Sequence, residues 1–586
     1  MKTFKFFLMF GLLSIPLFAP DSSMANRDIS FVDITDIAGV GETSLSPSCA
    51  MADFDNNGLL DIYLCIKNRP NKLYWNNDGI HFLDVARRAH VDDSSTSMDC
   101  AFADINSDGW LDLFVSNEFD SSRLFLNTGN GTYLDITPSC GIYTQGYSHS
   151  PTFADIEKDG DLDLFLTNAD DYNWMFINNG NNTFTDSTVW SGIQGLGKSF
   201  ACFFGDVNND IIPDLYIVSG GYLRNIMYMG LGNGQFVDTT LWSGTQCDNS
   251  AGQSSVLFDY DNDGDLDIYV ANGGLDSDSL FSNDGNGHFT NVSQYAQISD
   301  TAYGRSASCG DFNNDGFQDV IVLNSSGNIT IYQNNGDGTF SDVTSTAGLT
   351  YQEDPAGCSV GDIDNDGDLD LYVTNITDKN ILYQNQCNDQ NYLKVKLVGT
   401  VSNHFGIGSK IELFNQNDSL IAYREMKIGK ARLSMNPAIA HFGLQYGSLY
   451  KLSVLFPSGI QVDSTNIEAA QTITIYETPP GIATKQKEKT KNTTPYCVHD
   501  NLTPPYVFRL CLKGGQQFNN ASIYDLQGRQ IKLLSVVNHN DSEITFSWNG
   551  KNNNGIRSHE GIYFLKVKCT DRLGESVYTS KVTLIQ

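Results

Sequence analysis

Asp53, Asp55, Asn57 and Asp61 occupy the first, third, fifth and ninth places of a nine-residue stretch. When such a stretch curls, side-chain oxygens at alternate places face a common centre. The seventh residue can add its backbone carbonyl, and the last aspartate closes the shell. Hard cations that take six to eight oxygen ligands are held in this way. The pattern returns six more times, at intervals of 51 to 53 residues. The further sets are Asp104, Asn106, Asp108 and Asp112; Asp155, Glu157, Asp159 and Asp163; Asp206, Asn208, Asp210 and Asp214; Asp259, Asp261, Asp263 and Asp267; Asp311, Asn313, Asp315 and Asp319; and Asp362, Asp364, Asp366 and Asp370. One acidic turn would be an ordinary solvated turn. Seven in register point to metal sites, with Ca²⁺ as the expected ion and up to seven ions in all. Mg²⁺ suits loops so rich in protein oxygens less well, because it gives up its water reluctantly.

The seven loops are unequal. Six carry Gly at the sixth place (Gly58, Gly109, Gly160, Gly264, Gly316 and Gly367), where a sharp turn is needed. The fourth has Ile211 there and Pro213 before its last Asp, so the site at Asp206 should be the weakest or empty. The loops starting at Asp155, Asp259 and Asp362 hold five acidic residues each and the others three. Packed carboxylates repel, so each loop should spring open without a counter-ion.

The loops hold well over a third of the chain's 69 acidic side chains, which face only 36 basic ones for a net charge of −33. Such a surface repels nucleic-acid phosphates and anionic lipid. With 40% hydrophobic and 11% aromatic residues, the chain is built for packed cores rather than disorder.

Strands must carry the loops. Leu111-Asp112-Leu113-Phe114-Val115, Arg123-Leu124-Phe125-Leu126 and Tyr133-Leu134-Asp135-Ile136-Thr137 illustrate the three runs after each loop, separated by Asn/Gly turns. Before each loop, the residue two places upstream is apolar (Met51, Phe102, Phe153, Phe204, Leu257, Cys309, Val360). The one four places upstream is small (Cys49, Cys100, Pro151, Cys202, Ser255, Ala307, Cys358). Residues two apart share a strand face, so an inner strand should pack tightly against its neighbours. Four strands per repeat of about 51 residues is a propeller blade. The seventh repeat lacks a fourth strand, while Phe31-Val32-Asp33-Ile34-Thr35 stands alone ahead of the first. That segment should complete the last blade and leave no open edge. An open β-solenoid is the alternative, disfavoured by this split repeat.

The repeats resemble the FG-GAP/VCBS family, whose acidic loop is also seen in integrin-α propellers, over residues 26–390. From Asn391 the pattern changes. Ser402-Asn403-His404-Phe405-Gly406-Ile407-Gly408, Arg424-Glu425, His441-Phe442-Gly443 and Phe456-Pro457-Ser458-Gly459 resemble the ASPIC/UnbV domain of the cartilage acidic protein-like family, bacterial type, over residues 391–477. His404 stands where that family usually has Arg, which would weaken any pairing of that Arg with an acid. Residues 478–500 read as a linker. Residues 501–586, with Phe546-Ser547-Trp548-Asn549-Gly550 and Gly561-Ile562-Tyr563-Phe564-Leu565, resemble a FlgD-type Ig-like domain; a sorting or attachment module and a plain β-sandwich spacer are both open. The fold class expected is all-β: a seven-bladed β-propeller, a small β domain, and a C-terminal Ig-like β-sandwich.

Lys2, Lys5, the apolar run Phe6 to Ala19 and Ser23-Met24-Ala25 read as a signal peptide over residues 1–25, with a membrane anchor as the alternative. No later run approaches the ~20 apolar residues of a membrane span. Of the 12 cysteines, Cys49, Cys100, Cys202 and Cys358 share one blade position. They are either small buried side chains or partners in inter-blade disulfides, and Cys511 with Cys569 are a further candidate pair. No catalytic motif stands out, and carboxylates committed to a cation are poor general acids. The chain therefore reads as a secreted or cell-surface binding or adhesion scaffold for an extracellular protein or glycan. A Ca²⁺-dependent enzyme acting on extracellular polysaccharide and a purely structural surface component are the alternatives.

Overall fold

The structure is a computed structural model. It describes residues 27–193, 197–247, 251–274, 276–350, 353–387, 390–445, 447–477, 497–499, 506–511, 517–524, 529–539, 543–548, 551–553, 561–571 and 574–584. The segment expected to be a signal peptide lies outside the described residues. The fold is all-β, with four one-turn helices among the described residues. The chain divides into two compact units at residue 482. Among the described residues, no helix is long and apolar enough to cross a membrane.

In the first unit, each acidic repeat builds an antiparallel four-stranded sheet of the kind found in propeller blades. The second repeat is typical: Ser97–Ala103, Asp112–Asn117, Arg123–Asn127 and Tyr133–Asp135, in that order. The inner and second strands are buried on both faces, as in Ser97–Ala103 and Asp112–Asn117. A strand buried on both sides needs a nearly continuous apolar run, and Leu113-Phe114-Val115 supplies one. Six of the three-residue outer strands bury only their first residue, such as Tyr133, and in the first repeat Phe82 is half-buried. Phe31–Asp33 pairs antiparallel with Ile381–Asn385 and so supplies the outer strand of the seventh repeat's sheet.

Neighbouring inner strands touch in sequence from Cys49–Ala52 round to Pro355–Gly361, and the last touches the first. The small residues expected at that seam are there: Cys49, Cys100, Cys202 and Cys358 are buried to 1% exposure or less. All four stand as thiols, so the inter-blade disulfide alternative is not realised. The Cys202 Sγ lies 3.4 Å from the Ser150 carbonyl instead.

A second tie runs between repeats. The third strand ends on Asn76, Asn127, Asn178, Asn283, Asn334 and Asn385 in six repeats, and on Gly230 in the fourth. Each Asn side chain donates to a carbonyl in the preceding repeat's loop, for example Asn127 Nδ2 to Phe54 O at 3.0 Å and Asn334 Nδ2 to Tyr260 O at 2.7 Å. Asn76 donates to Ile363 O at 2.9 Å and so links the first repeat to the seventh. In the fourth repeat a side chain at Gly230 would stand 2.5 Å from the Pro213 carbonyl. Glycine is therefore required there, and Gly234 N bonds the preceding loop instead, at Ile156 O, 3.2 Å.

The second domain packs two sheets. One holds Ala440–Gly443, Tyr392–Val398 and Gln471–Tyr476. The other holds Leu420–Glu425, Lys410–Phe414, Tyr450–Leu455 and Gln461–Ile467. Between them it sends out a hairpin, Gly429–Ala431 and Ser434–Asn436. Ser434 and Met435 pair in parallel with Cys49 and Ala50. The two hairpin strands together touch every inner strand, so the hairpin fills the axis of the ring. Ser359 Oγ donates to the Met435 carbonyl, Phe102 N donates to Met435 Sδ at 3.0 Å, and Arg432 lies 4.3 Å over the Phe200 ring.

The second unit, described by itself, holds two four-stranded sheets. Trp548 is buried and its indole N–H donates to Lys551 O at 2.9 Å. Cys497–His499 was expected in the linker but forms a strand paired with Tyr506–Cys511; its neighbours 478–496 lie outside the described residues, as do the side chains of Cys511 and Cys569.

Asn334→Ala removes the donor to the buried Tyr260 carbonyl and to the part-buried Gln318 carbonyl. It should destabilise the chain by about 1–3 kcal/mol. Asn335→Ala, on the exposed side of the same turn, should cost under about 0.5 kcal/mol. Chemical denaturation midpoints of the two variants check this.

Candidate cation loops

The ninth-place aspartates are among the most deeply buried acids of the chain. Each uses one oxygen for the loop and the other for the third strand. Asp61 accepts from Phe54 N at 3.1 Å and Asn76 N at 2.7 Å; Asp319 accepts from Phe312 N at 3.0 Å and Asn334 N at 2.8 Å. Asp112, Asp163, Asp214, Asp267 and Asp370 do the same in their repeats.

First-place aspartates hold the turn itself. Asp104 takes Asp108 N and Gly109 N at 3.1 and 2.8 Å, and Asp155, Asp259 and Asp311 repeat this. Fifth-place oxygens accept from the seventh residue's N–H, as Asp315 does from Phe317 at 2.9 Å. The fourth-place residue adopts a left-handed conformation in every loop: Asn56, Ser107, Lys158, Asn209, Asn262, Asn314 and Asn365. Asn tolerates that region. Five of these side chains reach the next loop: Asn56 to Gly109 O, Asn262 to Gly316 O and Asn365 to Gly58 O at 2.9–3.2 Å, and Asn209 to Asp265 Oδ1 and Asn314 to Asp368 Oδ1 at 2.8 Å. At the sixth place Gly carries φ of 87° to 101°, but Ile211 is held at 66°, a strained setting for a β-branched residue.

Among the described residues, three loops bring three carboxylates together with their oxygens within 4.8 Å: Asp53, Asp55 and Asp61; Asp259, Asp261 and Asp263; Asp362, Asp364 and Asp370. The loops at Asp104, Asp206 and Asp311 have Asn at the third place (Asn106, Asn208, Asn313), so fewer carboxylates meet there. These Asp clusters have the donor set to hold a metal ion. Two observations favour a cation. Asp261 Oδ1 and Asp362 Oδ1 are buried without a hydrogen-bond partner. Several of the loop acids are also pushed up, first by burial, among them Asp104 and Asp155 to about 6, Asp112 to about 8, and Asp263 to about 7 with the charge of Asp261 adding. Buried, crowded carboxylates either take up protons or take a positive neighbour.

Part of that positive charge comes from the second domain, which sequence reasoning missed. Lys394, 5% exposed, bonds Asp362 Oδ2 and reaches Asn365 Oδ1 at 2.7 Å. Lys410 meets Asp206 Oδ2 at 2.7 Å and bonds Asn209 Oδ1 in the same way. Arg424 is buried with its guanidinium 5.2 Å over Phe442, and the charges of Asp311 and Asp259 favour its charged form against burial. Gly443 N donates to Asp311 Oδ2 at 2.8 Å, and His441 Nε2 lies 2.9 Å from Gly367 O. His404, where the resemblance expects Arg, lies against Gly109 of the second loop. Between loops and domain is a cavity of about 440 Å³, reached by Asp53, Asp259, Asp311, Lys396 and Lys427. Lys394 and Lys396 sit in an alternating strand, Tyr392–Val398, that reads locally as half solvent-facing. The Asn at the end of the third strand was legible, since it follows the ninth Asp by 15 or 16 residues in six repeats.

Two substitutions separate the roles within a loop. Asp319→Ala removes the acceptor of two buried N–H groups and should cost about 2–5 kcal/mol even in chelator. Asp261→Asn relieves repulsion with Asp259 and Asp263, so in chelator it should raise the melting temperature. Thermal unfolding in chelator reads both.

Comparison with known proteins follows the same layout. The FG-GAP-like repeat matches in six overlapping windows, 53–115, 104–166, 155–217, 206–270, 259–322 and 311–373. They span all seven loops and more than half of the 586 residues. The ASPIC and UnbV domain matches residues 399–482. Cartilage acidic protein 1 of Mus musculus is 29% identical over 154 residues, 25% of this chain and 24% of that protein. The Homo sapiens protein of the same name is 28% identical over 154 residues, 25% of this chain and 23% of that one. The chain thus spans about a quarter of the length of the curated relatives it matches. Among solved structures, a BBS1N–ARL6DN complex is similar at 12% identity, with a TM-score of 0.38, over 61% of this chain and 98% of that one. The chain belongs to the FG-GAP-like repeat family and carries an ASPIC and UnbV domain behind its repeats.

Proposed function

We propose that this protein is an exported, calcium-binding, seven-bladed β-propeller that acts as an extracellular or cell-surface binding scaffold for a protein or glycan, without catalytic activity of its own. The observation that carries the calcium reading is the convergence of three carboxylates in the loops at Asp53, Asp259 and Asp362, with Asp261 and Asp362 each keeping a buried oxygen unpartnered. The ligands would be the first-, third-, fifth- and ninth-place residues of each loop. Ca²⁺ supplies no reaction there; it neutralises charge that burial otherwise makes costly. The loop at Asp206 is the weakest candidate, because Ile211 strains its turn and Lys410 already bonds its first aspartate.

The binding reading is supported by family and by surface. FG-GAP repeats with an ASPIC/UnbV domain suggest a surface or extracellular β-propeller. The hairpin at Gly429–Asn436 occupies the axis where a propeller would funnel a substrate, which favours binding at the outer surface over catalysis at the centre. We further propose the division 26–390 propeller, 391–477 β domain, 478–496 linker and 497–586 Ig-like domain, with residues 1–25 as the export signal.

Removing Ca²⁺ should lower the melting temperature by roughly 5 °C or more, because a ligand bound only by the folded state stabilises it by mass action. Scanning calorimetry in Ca²⁺ and in chelator reads this; equal midpoints would remove the calcium reading. Retention of extracellular proteins or glycans on the immobilised chain tests the binding reading. Turnover of a polysaccharide panel in the absence of any retained partner would count against it.

A further inference from the structure

Each outer strand is followed by a short turn, and the residue six places after the strand's first aromatic differs from repeat to repeat. It is Ile37, Arg88, Ser139, Trp190, Trp242, Tyr295 and Thr346. Three consecutive repeats carry an aromatic ring. The fold does not need one, since Ile, Arg, Ser and Thr serve in the other four. Nor are the rings buried: Trp190 is 52% exposed, Trp242 51% and Tyr295 68%. Single exposed aromatics are common, but three at one repeat position are not scatter.

Each ring lies against the glycine turn between the third and outer strands of the next repeat. A Cβ at Gly234 would come 2.8 Å from the Trp190 ring, one at Gly287 3.5 Å from Trp242, and one at Gly338 3.7 Å from Tyr295. Those turns end in exposed polar tips at equivalent places: Asn233, Asn286 and Asp337. At the middle position His288 joins the group, its ring centroid 3.7 Å from that of Trp242.

We propose that these three ring-and-turn pairs are equivalent stacking sites for the sugar rings of an extended, neutral glycan. The proposal rests on the reading of the protein as an extracellular binder and names its ligand class and site. An aromatic face suits the C–H face of a pyranose, while the amide, imidazole or carboxylate beside it meets the hydroxyls. The chain's net charge of −33 repels acidic glycans. Three weak sites on consecutive repeats give avidity toward a polymer that none would give alone. Val189 and Leu241, exposed beside two of the rings, would instead serve a protein contact, and the experiment separates the two.

The full chain is titrated by calorimetry, in Ca²⁺, with cellohexaose, xylohexaose, mannohexaose and chitohexaose. At least one should bind saturably. The combined variant Trp190→Ala/Trp242→Ala/Tyr295→Ala should weaken that binding at least about tenfold with an unchanged melting temperature, while Ile37→Ala leaves it as it was. Binding to none of the four, or equal binding by the combined variant, overturns the proposal. If no sugar binds but the combined variant loses self-association or capture of an extracellular protein, the rings are a protein contact: this proposal falls while the reading as a binder stands.

Discussion

The structure depends on a carboxylate buried at the end of each acidic loop. Its two oxygens accept one N–H from the loop and one from the third strand, so a single side chain fixes the turn and the strand register together. An alanine there would strand two buried donors, and an alcohol or amide could not accept both bonds in the same way. That requirement explains why the ninth place is Asp in all seven loops, while the third and fifth alternate among Asp, Asn and Glu. It also creates a difficulty. A charge buried this deeply, beside others of the same sign, favours protonation unless something positive stands near.

The rest of the first unit answers that difficulty. In the loops at Asp53 and Asp362 the carboxylates of the first, third and ninth places converge, and in the loop at Asp259 those of the first, third and fifth, an arrangement that can hold a metal ion. The second domain adds Lys394, Lys410 and Arg424 from the other side of the first-place aspartates. The same aspartate, Asp362, bonds Lys394 through one oxygen and leaves the other unpartnered, so a lysine and a metal need not compete for it. Asparagines complete the frame. Those at the fourth place tie loop to loop, and those at the end of the third strand tie each repeat to the one before, including the seventh to the first. The hairpin then fills the axis, so repeats and second domain share one set of contacts.

Much of this was legible in the sequence because it is periodic. The loops, their ligand places, the small-residue seam and the displaced outer strand Phe31–Asp33 all repeat or complete a repeat. The exchange of Asn for Gly230 is also written there, but its reason, the Pro213 carbonyl 2.5 Å from where a side chain would start, needs the fold. The hairpin and the interface lysines were not legible. Lys394 sits in an ordinary alternating strand, and what it meets lies across a domain boundary. Ser434-Met435 carries no strand signal of its own until Cys49 and Ala50 offer it an edge. Such contacts come from docking, and docking has no period.

The most direct measurement is the number of Ca²⁺ ions bound per chain, by elemental analysis of the folded protein after exhaustive dialysis against a known free Ca²⁺ concentration. The account predicts several ions, six if the loop at Asp206 is filled by Lys410 alone, and a loss of at least one on replacing Asp259, Asp261 and Asp263 together by Asn. A folded chain that retains no Ca²⁺ at millimolar free concentration would contradict it, and the lysines and captured protons would then have to carry the whole charge of the loops.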